Sequence, residues 1–141
     1  MKPSLITTTI GAFPKPNYVP VRDWFDSAKE KGGMNTSETT YQYSKDIEKN
    51  KDAHEDLFIR AAQEVLEIQI RAGISIPTDG EVRRENYIHY HCRHLGGFDF
   101  NSLEHRVLRD GAYETDLPAI RGPILHSGKN YSAHDYIASQ G

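Results

Sequence analysis

Phe58-Ile59-Arg60-Ala61-Ala62-Gln63-Glu64-Val65-Leu66-Glu67-Ile68-Gln69-Ile70-Arg71-Ala72-Gly73-Ile74-Ser75-Ile76-Pro77-Thr78 holds the transition that decides the fold. Phe58, Ala61, Ala62, Val65, Ile68 and Ala72 recur at helical spacing and make one apolar stripe. The spacing predicts a helix from about Lys51 to Ala72, with Gly73 as its C-terminal cap. Ile74 to Thr78 follows with the β-branched, short pattern of a strand.

Outward from this unit, Leu5–Ile10 reads as a buried strand ended by the loop Gly11-Ala12-Phe13-Pro14-Lys15-Pro16. Val21–Lys31 predicts a short helix with Trp24, Phe25 and Ala28 on one side, stopped at Gly32-Gly33. Met34–Asn50 is polar and reads as a loop running into the long helix. Downstream, a helix is expected from Arg83 to about Leu95, closed by Gly96-Gly97. Asp110-Gly111 marks a hairpin turn between His105–Arg109 and Ala112–Thr115. Ala119–His126 reads as a third core strand. Ser132 with Asp135 resembles a capping box opening a last helix.

Strands separated by long helical stretches imply a parallel sheet with right-handed crossovers. The 141 residues suffice for one domain. A closed barrel of this type takes about 250 residues. Three core strands therefore make either a small open α/β domain or a piece of a barrel.

Composition narrows the function. A net charge of −3, with Lys and Arg scattered, gives no footprint for nucleic acid or an anionic membrane. The most apolar windows, Leu5–Pro14 and Val65–Pro77, fall far short of the roughly 20 apolar residues of a membrane span. Met1-Lys2-Pro3-Ser4 lacks a signal-peptide core. Cys92 is the single cysteine, so no internal disulfide forms. A cytoplasmic protein is expected.

In parallel α/β folds, chemistry gathers where strands end and loops begin. The first such end is Ile10-Gly11-Ala12-Phe13-Pro14, where Gly11 permits a sharp turn and close backbone approach to a ligand. By itself this pattern is more often an ordinary turn. The second is Thr78-Asp79-Gly80-Glu81-Val82-Arg83-Arg84-Glu85-Asn86. Here Glu81 is the best candidate to hold a substrate ammonium. Arg83 and Arg84 fit better as structural partners of Asp79 and Glu81. His89-Tyr90-His91-Cys92-Arg93-His94 carries four zinc-type donors. A helix advances about 100° per residue. His89 and Cys92 then share one face and His91 and His94 another, so a polar packing helix is favoured over a metal site. His54 and His105 are expected on the surface, and His126 as a satisfied structural histidine.

These two strand ends also carry a family resemblance. Thr7-Thr8-Thr9-Ile10-Gly11-Ala12-Phe13-Pro14 is similar to the opening phrase of the catalytic barrel of cobalamin-independent methionine synthases, usually Thr-Thr-Thr-Ile-Gly-Ser-Phe-Pro. Asp79-Gly80-Glu81-Val82-Arg83-Arg84 and Gly97-Phe98-Asp99-Phe100 resemble the family's Gly-Glu-x-x-Arg and later Gly-Phe-x-Phe. Ile120-Arg121-Gly122-Pro123-Ile124 resembles the next strand. The likeness runs from about Leu5 to Ile137. It implies a partial (β/α)8 TIM barrel: about the first three strands, their helices and an inserted hairpin, in a single N-terminal, apparently truncated unit spanning 1–141.

The resemblance further implies a methyltransferase that moves the methyl group of methyltetrahydrofolate to homocysteine sulfur, in methionine biosynthesis, with a catalytic zinc holding the thiolate. It makes Ile10, Gly11 and Ala12 part of the homocysteine pocket and Glu81 the partner of its ammonium. Ala12 stands where the family has serine. The family's zinc ligands lie on later strands, so no catalytic residue and no metal ligand is expected in this chain. By itself the chain is expected to be inactive. The alternative is a non-catalytic binding or assembly module that needs a partner, or self-association, to cover its open sheet edges.

Overall fold

The computed structural model describes residues 5–21 and 36–140. The helix expected over Val21–Lys31 lies outside the described residues, apart from Val21.

The long helix extends much further toward the N-terminus than its apolar stripe. α1 spans Ser37–Arg71, so the polar stretch read as a loop is helical. Thr36 starts it with a capping box: its hydroxyl accepts the Thr39 N–H, and its own N–H donates to Thr39 Oγ1. The Asp116 carboxylate accepts the Ser37 N–H at 2.7 Å, adding an anion where the helix dipole favours one. Asn50 leaves helical geometry (φ −123°, ψ 23°) and divides the helix where its polar half meets its apolar half.

The apolar stripe builds the core. Phe58, Ala61, Ala62 and Val65 pack with Val19, Val21 and Val82, and Phe13, Tyr18 and Tyr43 lean on them. The stripe continues to Gln69 rather than Ile68. Gln69 is 1% exposed, whereas Ile68 is half exposed. The reason is phase: Gln69 lies one full turn beyond Val65, and Ile68 is rotated about 100° from it.

The expected first and second strands meet as neighbours, joined by one parallel bridge, Thr8↔Ile76. The Ile76 N–H donates to Thr7 O at 2.9 Å, and the Thr8 hydroxyl donates to Ile76 O at 2.7 Å. Leu5–Ile10 is not buried as expected. Leu5 and Ile10 are 90% and 100% exposed, because nothing among the described residues covers their side chains.

α2 is shorter than expected, Tyr87–Arg93. Asn86 sets its start by accepting the N–H groups of Ile88 and His89. Gly96-Gly97 does not end this helix but lies in β1, Leu95–Leu108. β1 pairs antiparallel with β2, Tyr113–His126, around the Asp110-Gly111 turn. The expected third core strand, Ala119–His126, is therefore the returning half of a long hairpin. Its partner is Leu95–Asp99, with irregular register at Gly96/Phe98 and Asp99/Leu103. Periodicity alone cannot separate a parallel core strand from an antiparallel one. α3, Tyr131–Ser139, is capped by Asn130, which accepts the Ala133 N–H, and not by the expected Ser132–Asp135 box.

Gly97 is the tightest point of the hairpin. Its φ is +90°, and an added Cβ meets Pro123 O at 2.5 Å and Gly122 O at 2.8 Å. Both obstacles are backbone atoms of the paired strand, and the conformation is one that L side chains avoid. Gly97→Ala is expected to lower unfolding stability by about 2–4 kcal/mol in urea titration. A variant within 0.5 kcal/mol of the parent, at about the noise of surface substitutions, contradicts this account of the hairpin.

Candidate functional site

The two strand ends singled out in the sequence sit side by side. The Phe13 N–H donates to Gly80 O at 2.9 Å, so Ala12 and Glu81 each adjoin a residue of one interloop hydrogen bond. Gly80 makes this approach possible. A Cβ on it falls 2.7 Å from Val65 Cγ1 and 2.9 Å from Phe13 Cβ.

Buried Gln69 holds both ends from below. Its Nε2 donates to Thr78 O at 2.7 Å and to Val65 O at 3.2 Å. Its Oε1 accepts the Thr78 N–H at 2.9 Å and the Thr9 hydroxyl at 2.6 Å. The carboxamide thus uses both donors and both lone pairs. Thr9 Oγ1 also lies 2.9 Å from Thr78 Oγ1. Because the Thr9 proton is committed to Gln69, the Thr78 hydroxyl is the donor in that pair. Sequence reading missed Gln69, Thr9 and Thr78. The available signal was a glutamine four residues, about one turn, beyond Val65 on an apolar stripe.

On this base the candidate residues are displayed outward. Ile10 is fully exposed, Gly11 turns the chain at φ +83°, and Ala12 is half-buried. Glu81 occupies the left-handed region at φ 55°, rare for a residue with a Cβ. Its N–H is held by Asp79 Oδ1 at 3.0 Å, and its Oε1 accepts from Arg84 Nη1 at 3.1 Å. Arg84 Nε is buried without a hydrogen-bond partner among the described residues. A cleft of about 280 Å³ adjoins the second strand end, lined by Thr78, Asp79 and Arg84 and, across from them, by Asp135 and Tyr136 of α3.

The two arginines divide the work differently from the sequence expectation. Arg84 pairs with Glu81 as expected. Arg83 turns away from Asp79 and Glu81, making a bidentate pair with Glu55 at 2.7 and 2.8 Å and approaching Asp135 at 3.7 Å. The Arg83 hydrogen bonds hold the Glu55 carboxyl below its usual range. Asp135 accepts the Tyr90 hydroxyl at 2.7 Å, tying α3 to α2.

The histidine-rich helix is occupied by packing. His91 and His94 do share a face. His91 Nδ1 lies 2.9 Å from the Tyr131 hydroxyl, and the His94 ring stacks on Tyr131 at 4.0 Å. His89 turns inward and meets Phe100 edge-on. His54 is buried rather than exposed, 3.3 Å from Asp46 and edge-on to Phe58. His105 is exposed and bonds Asp116, and His126 Nδ1 accepts the Gly128 N–H. Among the described residues, no group of three or more His, Cys, Asp or Glu side chains is placed to hold a metal ion. No helix among them is long and apolar enough to cross a membrane.

No protein-family model matches the chain. It is similar to the methionine synthase of Sulfolobus acidocaldarius, with 28% identity over 123 residues, covering 87% of this chain and 30% of that protein. It is similar also to the methionine synthase of Saccharolobus islandicus, 30% identical over 101 residues, covering 70% and 24%. A solved structure, that of a B12-independent methionine synthase from Shewanella sp. W3-18-1 in complex with selenomethionine, shares the fold with a TM-score of 0.68. That match is 23% identical and covers 96% of this chain and 34% of the other. The chain thus spans about a third or less of the length of the relatives it matches. Sequence and fold both match a part of methionine synthases. The chain belongs to the cobalamin-independent methionine synthase family, over a partial region of that family.

His89 carries the clearest pH dependence. It is 1% exposed, and burial, with a smaller effect of Arg93, lowers its pKa to about 4. The folded state then holds it neutral while the unfolded chain protonates near pH 6.5. Stability falls as pH drops from about 6.5 and levels off once pH passes the folded value. The expected loss is on the order of 2–3 kcal/mol across that window. Urea titrations from pH 7 to 4 should show this slope in the parent and not in His89→Leu. Parallel curves for the two proteins contradict the assignment.

Proposed function

We propose that Ile10, Gly11, Ala12 and Glu81 form part of the amino-acid pocket of a methyltransferase acting on a thiol, of the methionine synthase type. The observation that carries this reading is the Phe13–Gly80 hydrogen bond, which sets the two family-like loops beside one another. Glu81 supports it further, since a strained backbone recurs where a side chain must be aimed for function. The acceptor is homocysteine or a related thiol amino acid, and methyltetrahydrofolate is the methyl donor. The relative of known structure is a complex with selenomethionine, an amino acid of the same backbone chemistry. The fold proposed for the chain is the start of a (β/α)8 barrel. Thr7–Ile10 and Ser75–Thr78 are its first two parallel strands, α1 is their crossover, and the β1–β2 hairpin is an insertion.

In this pocket Glu81 accepts hydrogen bonds from the substrate ammonium, and Arg84 keeps the carboxylate oriented. Gly11 and Ala12 present backbone to the carboxylate end. Among the described residues, no group of three or more His, Cys, Asp or Glu side chains is placed to hold the zinc of the family.

Isothermal titration of the chain with L-methionine and L-homocysteine tests the reading. Glu81→Gln is expected to weaken both by about tenfold or more, the scale of a lost charge-assisted hydrogen bond. N-acetyl-methionine, lacking the ammonium, should not bind. Ala12→Ser should tighten binding by a few fold, about 1 kcal/mol for one added hydrogen bond. Equal binding of the acetylated ligand refutes the role of Glu81.

A second reading, an assembly module, is favoured by the bare side chains of Leu5, Ile6, Ile10 and Ile76 along the two bridged segments. Exposed strand edges and apolar patches recruit other chains. Sedimentation velocity over a hundredfold concentration range should then show reversible association, weakened by Ile6→Lys. A monomer at every concentration excludes self-association.

A further inference from the structure

We infer that Gln69 is a positioning residue for the amino-acid pocket, setting the distance between its two loops through a four-point carboxamide clamp. The inference rests on the pocket reading above, but its geometry is independent of any ligand. Gln69 belongs to α1, not to either loop, and touches neither Glu81 nor the Ile10–Ala12 turn in any hydrogen bond. It acts one residue before Ile10, through the Thr9 hydroxyl, and three before Glu81, through both backbone groups of Thr78.

The proton order gives the clamp a direction. Nε2 faces two carbonyl oxygens, Val65 O and Thr78 O, so the carboxamide cannot be flipped without losing both bonds. Oε1 then takes the Thr9 proton, Thr9 Oγ1 takes the Thr78 proton, and Thr78 Oγ1 faces the Gly80 N–H at 3.4 Å. This relay ends on the residue whose carbonyl accepts the Phe13 N–H. Each donor in such a chain strengthens the next. An apolar side chain at Gln69 would fill the space but leave the buried Thr78 amide and carbonyl without partners. The separation of the loops would then rest on the Thr8–Ile76 bridge, the Phe13–Gly80 hydrogen bond and the remaining hydroxyl contacts.

The test combines amide hydrogen exchange by NMR with L-methionine binding, on the parent, Gln69→Leu, Thr9→Val and the core control Phe58→Leu. In Gln69→Leu, protection of the Phe13 and Thr78 amides should fall at least about tenfold relative to amides in the middle of α1, and L-methionine affinity should fall in step. Thr9→Val, which removes one bond of the clamp, should show the same pattern at about threefold. It decides the matter if Gln69→Leu does not fold. Phe58→Leu should lower the melting temperature while leaving the protection ratio and the affinity within about twofold. Gln69→Glu adds a readout that mere core packing does not produce. Its carboxylate cannot donate, but once protonated it regains one donor, so loop protection should recover as pH falls. Unchanged ratios in both Gln69→Leu and Thr9→Val overturn the inference. Lost ratios with no L-methionine binding to the parent uphold the clamp and refute the pocket reading.

Discussion

A buried carboxamide with no hydrogen bond to spare is the constraint on which the rest of this structure depends. Gln69 sits on the apolar stripe of α1, where every neighbour along the stripe is aliphatic or aromatic. Burying an amide there costs several kcal/mol unless each polar atom is partnered. The cost is met only if Thr9 and Thr78 are both in place, so the helix position forces two loops distant in sequence to converge. The parallel bridge at Thr8 and Ile76 then follows, because residues adjacent to a fixed pair have little choice of register.

Charge does for the helices what the amide does for the strand ends. Arg83 is 8% exposed and is flanked by Glu55 of α1 and Asp135 of α3, with the Phe58 ring 5.5 Å away. One guanidinium thus joins the core helix to the last helix beneath the cleft. A buried arginine with a single partner is poorly compensated, and the second carboxylate supplies what the first leaves unmet. Asp135 extends the connection to the Tyr90 hydroxyl and so to α2. Arg83 therefore anchors the framework, while its neighbour Arg84, paired with Glu81, stands at the cleft. Adjacent side chains with identical chemistry acquire different roles from the direction in which the chain presents them.

What could be read from the sequence follows from what each signal measures. The stripe from Phe58 to Val65 was legible because helix periodicity reports one buried face, and that face is the core. The juxtaposition of the two strand ends was legible through βαβ logic, which makes sequential strands neighbours. The N-terminal half of α1 was not, since from Ser37 to Asn50 the sequence is mostly polar and carries no apolar stripe, though Tyr43 leans on the core. Ala119–His126 was misassigned because a β-branched run looks the same in a hairpin as in a parallel core. Gln69 was not legible from hydrophobicity, because the adjacent Ile68 is apolar while Gln69 holds the buried phase. Where a polar residue holds a core phase and the adjacent residue is apolar, the polar one marks the site.

Glu81 shows why the pocket and the clamp belong together. A glutamate at positive φ is strained, and here its side chain pairs with Arg84. The strain is held from behind: Asp79 fixes its N–H, Gly80 is pressed against Val65 and Phe13, and Gln69 fixes Thr78. In the pocket proposed above, a loop held in this way would need no ordering on binding.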